Sequence, residues 1–378
     1  MNPKSIINLF SILVLLFSFS FVFPIVISIM FDDGALPIFL KTLISISLLG
    51  LAGLFLTRNI KNDLSQKDGF VIIVMFWIVL SLTGSVPFYL SGMSLIDSVF
   101  ESMSGITTTG ATVISSLDGL PESILFYRQL LQWMGGMGLI VLAIAVMPLL
   151  GIGGGQIYKT EVPGAMGEQR LTPRIKETAQ ALWLIYFGLT AVCGILYYLS
   201  GMTAFDAISH AMSTVAIGGF STHNESIGFF NSISIELICI CFMLLSAFSF
   251  ALHYFAIYKK KPLKYAFDPE FRFFISFLFI TLFIAVLIGL FVESGKSPSI
   301  REIVFHTVSM VTTTGFSISD SSDWPFSMSF LLLIGAFVGA CSGSVGGGVK
   351  SWRIMIMLNH AYKNIMKIIH PNSVISLK

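Results

Sequence analysis

The sequence predicts an all-α integral membrane protein with eight transmembrane helices and three re-entrant hairpins that enter from one side. Three observations predict it: a composition suited to lipid, eight apolar runs of spanning length, and one residue pattern repeated in three of the connections. Of the 378 residues, 55% are hydrophobic and 11% charged, with a mean hydropathy of +0.86. A soluble domain carries about 25% charged residues. The net charge of +2, from 22 Lys/Arg against 20 Asp/Glu, is too small a surplus for neutralising phosphates, so no nucleic acid partner is expected. Cys193, Cys239, Cys241 and Cys341 all lie in apolar segments and form no disulfide framework. Cys239 and Cys241 are two apart on a helix and face different sides, which argues against a shared metal. The six histidines contain no H-E-x-x-H pair, and no nucleophile is paired with a base. An enzyme is therefore not expected, and no covalently bound cofactor is expected either.

The spans are justified in order by length, since a crossing helix needs about 20 apolar residues. Candidates fall near 6–30, 38–57, 70–90, 124–148, 179–200, 232–257, 273–292 and 326–349. The first is too long for a signal core, lacks a small-x-small cleavage site and leads into further spans, so it is expected to remain. With the N-terminus inside, only Lys41, Arg128, Lys296 and Arg301 of the 22 basic residues fall outside. Lys and Arg in short loops resist translocation, so this asymmetry predicts cytoplasmic N- and C-termini. The longest cytoplasmic loop, about 149 to 178, is too short and too rich in Gly and Pro for a folded domain. Any soluble regulatory module must come from another chain.

The outer connections after the third, fifth and seventh spans share a pattern. The first has Asp97, Ser104 and Thr107-Thr108-Thr109-Gly110-Ala111-Thr112; the second has Asp206, Ser213 and Ala216-Ile217-Gly218-Gly219-Phe220-Ser221; the third has Glu302, Ser309 and Thr312-Thr313-Thr314-Gly315-Phe316-Ser317. In each, the acid lies thirteen positions before the aligned glycine and the serine six before it. Each reads as a helix of about ten residues, too short to span, followed by a glycine turn. Irregular backbone at membrane depth is tolerated where it is buried in protein or lines a water-filled cavity. Glycine permits the backbone angles that aim preceding carbonyls at an axis. A ring of such carbonyls can replace the water shell of a monovalent cation, helped by the negative end of each short helix. The plainer reading is an interfacial cap with a Thr-rich turn; three aligned copies on one side weigh against it. His210 and His306, inside these short helices, are expected to pack or to hydrogen-bond at the mouth. Glu101 is read as a solvated, loop-facing carboxylate, with attraction of cations as the alternative.

Further stretches carry a family resemblance. They are Lys67-Asp68-Gly69-Phe70, Arg128-Gln129, Gly135-Gly136-Met137-Gly138, Pro148 with Gly153-Gly154-Gly155, Glu161-Val162-Pro163-Gly164, Leu252-His253-Tyr254, and the run from Cys341 to Lys350. Together with the hairpins, in this order from about residue 67 to His370-Pro371, they resemble the Trk/Ktr/HKT superfamily of potassium transporters, in its TrkH branch. The resemblance implies a voltage-gated-like ion channel architecture of helix, pore helix, filter and helix units, preceded by two extra helices. On that plan residues 1–66 form the two-helix unit, 67–160, 161–264 and 265–358 are pore repeats, and 359–378 is a cytoplasmic tail. The potassium-binding carbonyls carry over to Thr108, Thr109 and Gly110; Ile217, Gly218 and Gly219; and Thr313, Thr314 and Gly315. Glycine in all three filters is similar to the potassium-selective members.

Ser342, Gly343, Ser344, Gly346, Gly347 and Gly348 suggest three readings. A P-loop is disfavoured because Val349 separates the last glycine from Lys350 and the stretch extends an apolar helix where a strand is required. Close helix packing through small residues is the second reading. By the resemblance, the stretch breaks the eighth span and forms a gating loop below the filter. The resemblance further implies potassium ion as substrate, a channel-like or symporter mechanism, a lipid-embedded homodimer in the bacterial inner membrane, and a cytosolic TrkA-type nucleotide-binding ring as partner. Family members have four repeats and three are found here, so the fourth is expected to be missing by truncation, with its supply by another polypeptide as the other reading, and its presence is expected to be needed for activity. A non-conducting scaffold or regulatory subunit of a complete transporter is the alternative.

Overall fold

The computed structural model describes residues 3–58, 66–141, 175–291 and 298–370. Pro148, Gly153 to Gly155, Glu161 to Gly164, Pro371 and nearly all of the expected 149–178 loop lie outside the described residues. Among the described residues every regular element is a helix.

The first two helices, α1 (Pro3–Phe31) and α2 (Leu36–Leu56), run antiparallel. Asn8 Nδ2 donates to Thr57 Oγ1 at 2.8 Å at one end, and Ser47 Oγ donates to Ser18 Oγ at 3.0 Å toward the other. Close approach is possible because Gly53 faces Ser11, where a Cβ would sit 2.1 Å from the hydroxyl. The turn between them is pinned by Asp33, which accepts from Ala35 N at 3.0 Å and Ser123 N at 2.8 Å, and also from the Ser28 hydroxyl. Burial alone would raise this carboxyl, but the hydrogen bonds from Ser123, Ser28 and Ala35 outweigh it and hold the group below the usual aspartate range. Val14, Phe17, Phe21, Phe39, Phe88 and Tyr127 bury together and fix this pair to the next unit.

That unit contains α3 (Gln66–Gly84), α4 (Val86–Leu90), α5 (Leu95–Ile106) and α6 (Glu122–Val141). The second has α7 (Ile175–Leu199), α8 (Ala204–Val215), α9 (Ile233–Ala247) and α10 (Phe250–Ile257). The third has α11 (Pro269–Phe291), α12 (Ile300–Val311) and α13 (Phe326–Val338), then α14 (Ser351–Ile369) after an irregular stretch. A core of Tyr186, Val215, Phe242, Phe250, Phe274, Phe305 and Phe316 joins the second and third units.

Four helices among the described residues are long and apolar enough to cross a membrane, or five if one bent pair is counted as a single span. Among the described residues one expected span departs from the sequence reading, and another shows the break that the resemblance implied. The sixth, near 232–257, bends by 97° between α9 and α10. At that break Cys341 N donates to Ala247 O at 3.1 Å and Phe250 N donates to Gly343 O at 2.9 Å. The glycine-rich stretch therefore supplies the hydrogen bonds that the interrupted helix gives up. The eighth, near 326–349, stops at Val338, because Gly339 adopts φ +73° and the chain folds back on itself. Residues beyond Lys350, outside the expected span, form the 19-residue α14.

Candidate functional site

The short helices α5, α8 and α12 are each 12 residues long, about 18 Å at 1.5 Å per residue and too short to cross. Their boundaries explain the repeated residues. Ser94, Thr203 and Ser299 are the N-caps, accepting from Asp97 N, Asp206 N and Glu302 N at 3.1, 3.1 and 3.3 Å. The recurrent acid is thus the third residue of each helix, and in α12 it completes a capping box through Ser299 N at 2.7 Å. It stabilises the positive end of the helix dipole.

At the other end, Thr108 N bonds Gly105 O and Thr109 N bonds Ser104 O; Ile217 N bonds Thr214 O and Gly218 N bonds Ser213 O; Thr313 N bonds Met310 O and Thr314 N bonds Ser309 O. These are three Schellman closures, and the recurrent serine is the carbonyl acceptor in each. Such a closure needs a left-handed residue, supplied here by Thr108 (φ +56°), Ile217 (φ +53°) and Thr313 (φ +68°). A β-branched residue there is strained, at a cost of order 1–3 kcal/mol. Two positions on, Gly110, Gly219 and Gly315 return to positive φ, while Thr109, Gly218 and Thr314 between them do not. All nine predicted residues therefore occupy three copies of one turn.

The turns stand side by side in sequence order. A Cβ on Gly110 would lie 2.1 Å from Gly218 O, and one on Gly219 would lie 2.1 Å from Thr314 O. Beside Gly315 there is open space. The serine hydroxyls hold the exits: Ser104 Oγ donates to Ala111 O at 2.5 Å and Ser309 Oγ to Phe316 O at 2.7 Å. Gln132, which the sequence reading did not single out, bonds the middle turn from α6.

Glu101 corrects its expectation. It is fully buried rather than solvated, ion-paired with Arg128 Nε at 2.7 Å and accepting from Thr112 Oγ1 at 3.0 Å. Arg128 also donates to Ser221 O at 3.2 Å and stacks over Phe220 at 4.2 Å, so the pair braces the exits of the first and second turns. His210 and His306 hydrogen-bond at the mouth, His210 through Ser221 Oγ at 2.9 Å and Asp206 O at 2.9 Å, His306 by accepting from Ile318 N at 3.4 Å. Cys239 is buried and Cys241 exposed, on different helix faces.

Of the six candidate loop residues, Gly346 and Gly347 lie against the second and third turns. Gly347 N donates to Thr313 Oγ1 at 2.7 Å, and a Cβ on Gly346 would lie 3.0 Å from Thr312 O and 3.4 Å from Ile217 Cδ1. Val345 reaches across to Gly136 of α6, so the loop runs past the second and third turns toward the first unit. Both flanks are held by Glu270, which accepts from Ser342 N at 2.5 Å and Trp352 N at 3.1 Å. Ser344 Oγ donates to Cys341 O at 2.5 Å, Gly343 and Gly348 take positive φ, and Lys350 Nζ donates to Gly346 O. The segment follows helix α13 and not a strand, which removes the P-loop reading. Glu270 and Lys350 were missed as contributors; a carboxylate and an ammonium next to apolar runs were the available signal.

A family model described as TrkH, cation transport protein, matches residues 35–378. The Trk system potassium uptake protein TrkH of Halomonas elongata is 48% identical over 383 residues, covering 100% of this chain and 79% of the relative. The protein of the same name from Escherichia coli is 43% identical over 384 residues, with the same two coverages of 100% and 79%. The crystal structure of the potassium transporter TrkH from Vibrio parahaemolyticus superposes with a TM-score of 0.88 at 43% identity, covering 100% of this chain and 79% of that one. With a multi-pass helical architecture, three equivalent glycine turns and these relatives in agreement, the chain belongs to the TrkH family of cation transport proteins.

Proposed function

We propose that the chain is the ion-translocating subunit of a Trk-type potassium uptake system. The single observation that carries this reading is the threefold turn: an identical Schellman closure and an alternation of left-handed and other backbone angles in three adjacent copies. Such an alternation keeps successive carbonyls on one side of the strand, which suits a path lined by backbone oxygens. Thr108, Thr109, Gly110, Ile217, Gly218, Gly219, Thr313, Thr314 and Gly315 supply those oxygens, and the potassium ion is substrate rather than resident cofactor. The names of the relatives, potassium uptake proteins, support the choice of ion.

In this reading the three hairpins enter from the outer side of a bacterial inner membrane between eight spans, with both termini cytoplasmic. A hydrated ion sheds water at the turns and then meets the loop from Ser342 to Gly348, whose Gly346 lies against Thr312 and Ile217. That position supports reading the loop as the gate, with Glu270 and Lys350 holding it in place. A homodimer and a cytosolic TrkA-type nucleotide-binding ring complete the assembly.

The test is growth of an uptake-deficient bacterium in low potassium. The chain is expressed as it stands and also joined to the part of the Vibrio relative that it does not cover. Rescue by the joined form is the expected result. No rescue by either, with both inserted in the membrane, contradicts the proposal.

A further inference from the structure

The three turns share a backbone but not a bracing. In the first, Thr107 Oγ1 and Thr109 Oγ1 are bonded at 2.8 Å; in the third, Thr312 Oγ1 and Thr314 Oγ1 are bonded at 2.8 Å. Each hydroxyl pair ties the end of the short helix to the residue before the glycine. The second turn has Ala216 and Gly218 at these positions and no hydroxyl to offer. Its serine also departs: Ser213 Oγ donates to Gln132 Oε1 at 2.7 Å, where Ser104 and Ser309 donate to a backbone carbonyl.

Gln132 ties the same stretch by different bonds. Its side chain is fully buried, Nε2 donates to Gly218 O at 2.7 Å, and Oε1 accepts from Phe220 N at 3.1 Å. The amide orientation is fixed by these partners, because Phe220 N–H can only donate and Gly218 O can only accept. It also explains Gly218, since a Cβ there would lie 2.3 Å from Gln132 Cδ. The residue types at 216 and 218 and the glutamine on α6 are therefore one linked substitution.

We infer that Gln132 is a specificity-determining positioning residue, replacing the hydroxyl bridge and setting the orientation of the Gly218 carbonyl for a potassium-sized ion. The inference rests on the proposed carbonyl path. The amide donor holds one lone pair of Gly218 O and resists the inward tilt that a smaller sodium ion needs. A neutral donor is suited to this, as it stiffens the oxygen without adding charge to the path.

The test measures dissociation constants for potassium and sodium by titration calorimetry on the full chain in detergent. The Gln132→Leu variant is expected to lower the preference for potassium about tenfold, equivalent to about 1.4 kcal/mol and within reach of one buried hydrogen bond. Gln132→Glu keeps an acceptor for Phe220 N and is used if the leucine variant does not fold, as judged by elution volume and melting. The triple variant Gln132→Ala, Ala216→Thr, Gly218→Thr restores the bridge of the other turns and is expected to recover the preference to within about threefold. Three results overturn the inference: a parent protein that binds both ions equally, a folded Gln132 variant with the parent ratio, or a folded triple variant that keeps the lowered ratio. Failure of the proposed transport function would be seen separately, as absent growth rescue beside an intact binding preference.

Discussion

Replacing Arg128 with leucine is expected to destabilise the protein by about 3–5 kcal/mol, because it leaves an uncompensated carboxylate in the interior. Glu101 and Arg128 are 0% and 1% exposed and 2.7 Å apart. Thr112 Oγ1 bonds both carboxylate oxygens at 3.0 Å, and Val113 N adds a bond at 3.3 Å. Exchanging both members for apolar residues, Glu101→Met with Arg128→Leu, removes the buried charge together with its partner. This double variant is expected to be more stable than the single one, since a buried pair can be replaced as a unit at little cost. Thermal unfolding in detergent decides it: a single variant as stable as the double one contradicts this account of the pair. Because Arg128 also holds Ser221 O and Phe220, the single variant is expected to lose transport as well.

The three turn glycines are expected to respond unequally to serine. In the middle turn, a Cβ on Gly219 meets Thr314 O at 2.1 Å, and in the first, a Cβ on Gly110 meets Gly218 O at 2.1 Å. Both obstacles are backbone carbonyls, so relief requires two turns to separate. Gly219→Ser and Gly110→Ser are expected to reduce potassium uptake on the order of a hundredfold, equivalent to about 2.7 kcal/mol. Gly315 has the same left-handed conformation, φ +84°, but nothing within 4 Å of its Cβ position. Gly315→Ser meets only the left-handed penalty of about 1–2 kcal/mol, so it is expected to retain uptake with weaker discrimination against sodium. Rubidium and sodium uptake in cells expressing equal amounts of each variant measures this order. Equal loss at all three positions contradicts the side-by-side arrangement of the turns.

What was legible in the sequence is what the chain decides locally. The offsets of acid, serine and glycine fix one N-cap, one carbonyl acceptor and one left-handed turn within seventeen residues, from Ser94 to Gly110 in the first copy. Local reading failed where the partner is distant. Glu101 looked solvated because Arg128 lies 27 residues on, and Gln132 passed unnoticed because Gly218 lies 86 residues away. The bend after Ala247 has the same cause, since the bonds that stabilise it come from Cys341 and Gly343. A run of apolar residues from 232 to 257 gives no sign that a third-unit loop enters its middle. The glycines at 343 and 346–348 did signal the break in the last apolar run, because successive glycines and small residues cannot sustain a packed helix without another purpose. Its flanking anchor, Glu270, again acts across 72 residues.

Whether the three glycine turns bind potassium through their carbonyls is decided by crystals of the chain grown in thallium or rubidium. Anomalous difference maps are predicted to show an ion in contact with the carbonyl oxygens of the turns at Gly110, Gly219 and Gly315, displaced by added potassium but not by equal sodium. Ordered turns with no anomalous peak between them, or a peak that sodium removes as readily as potassium, would contradict that binding.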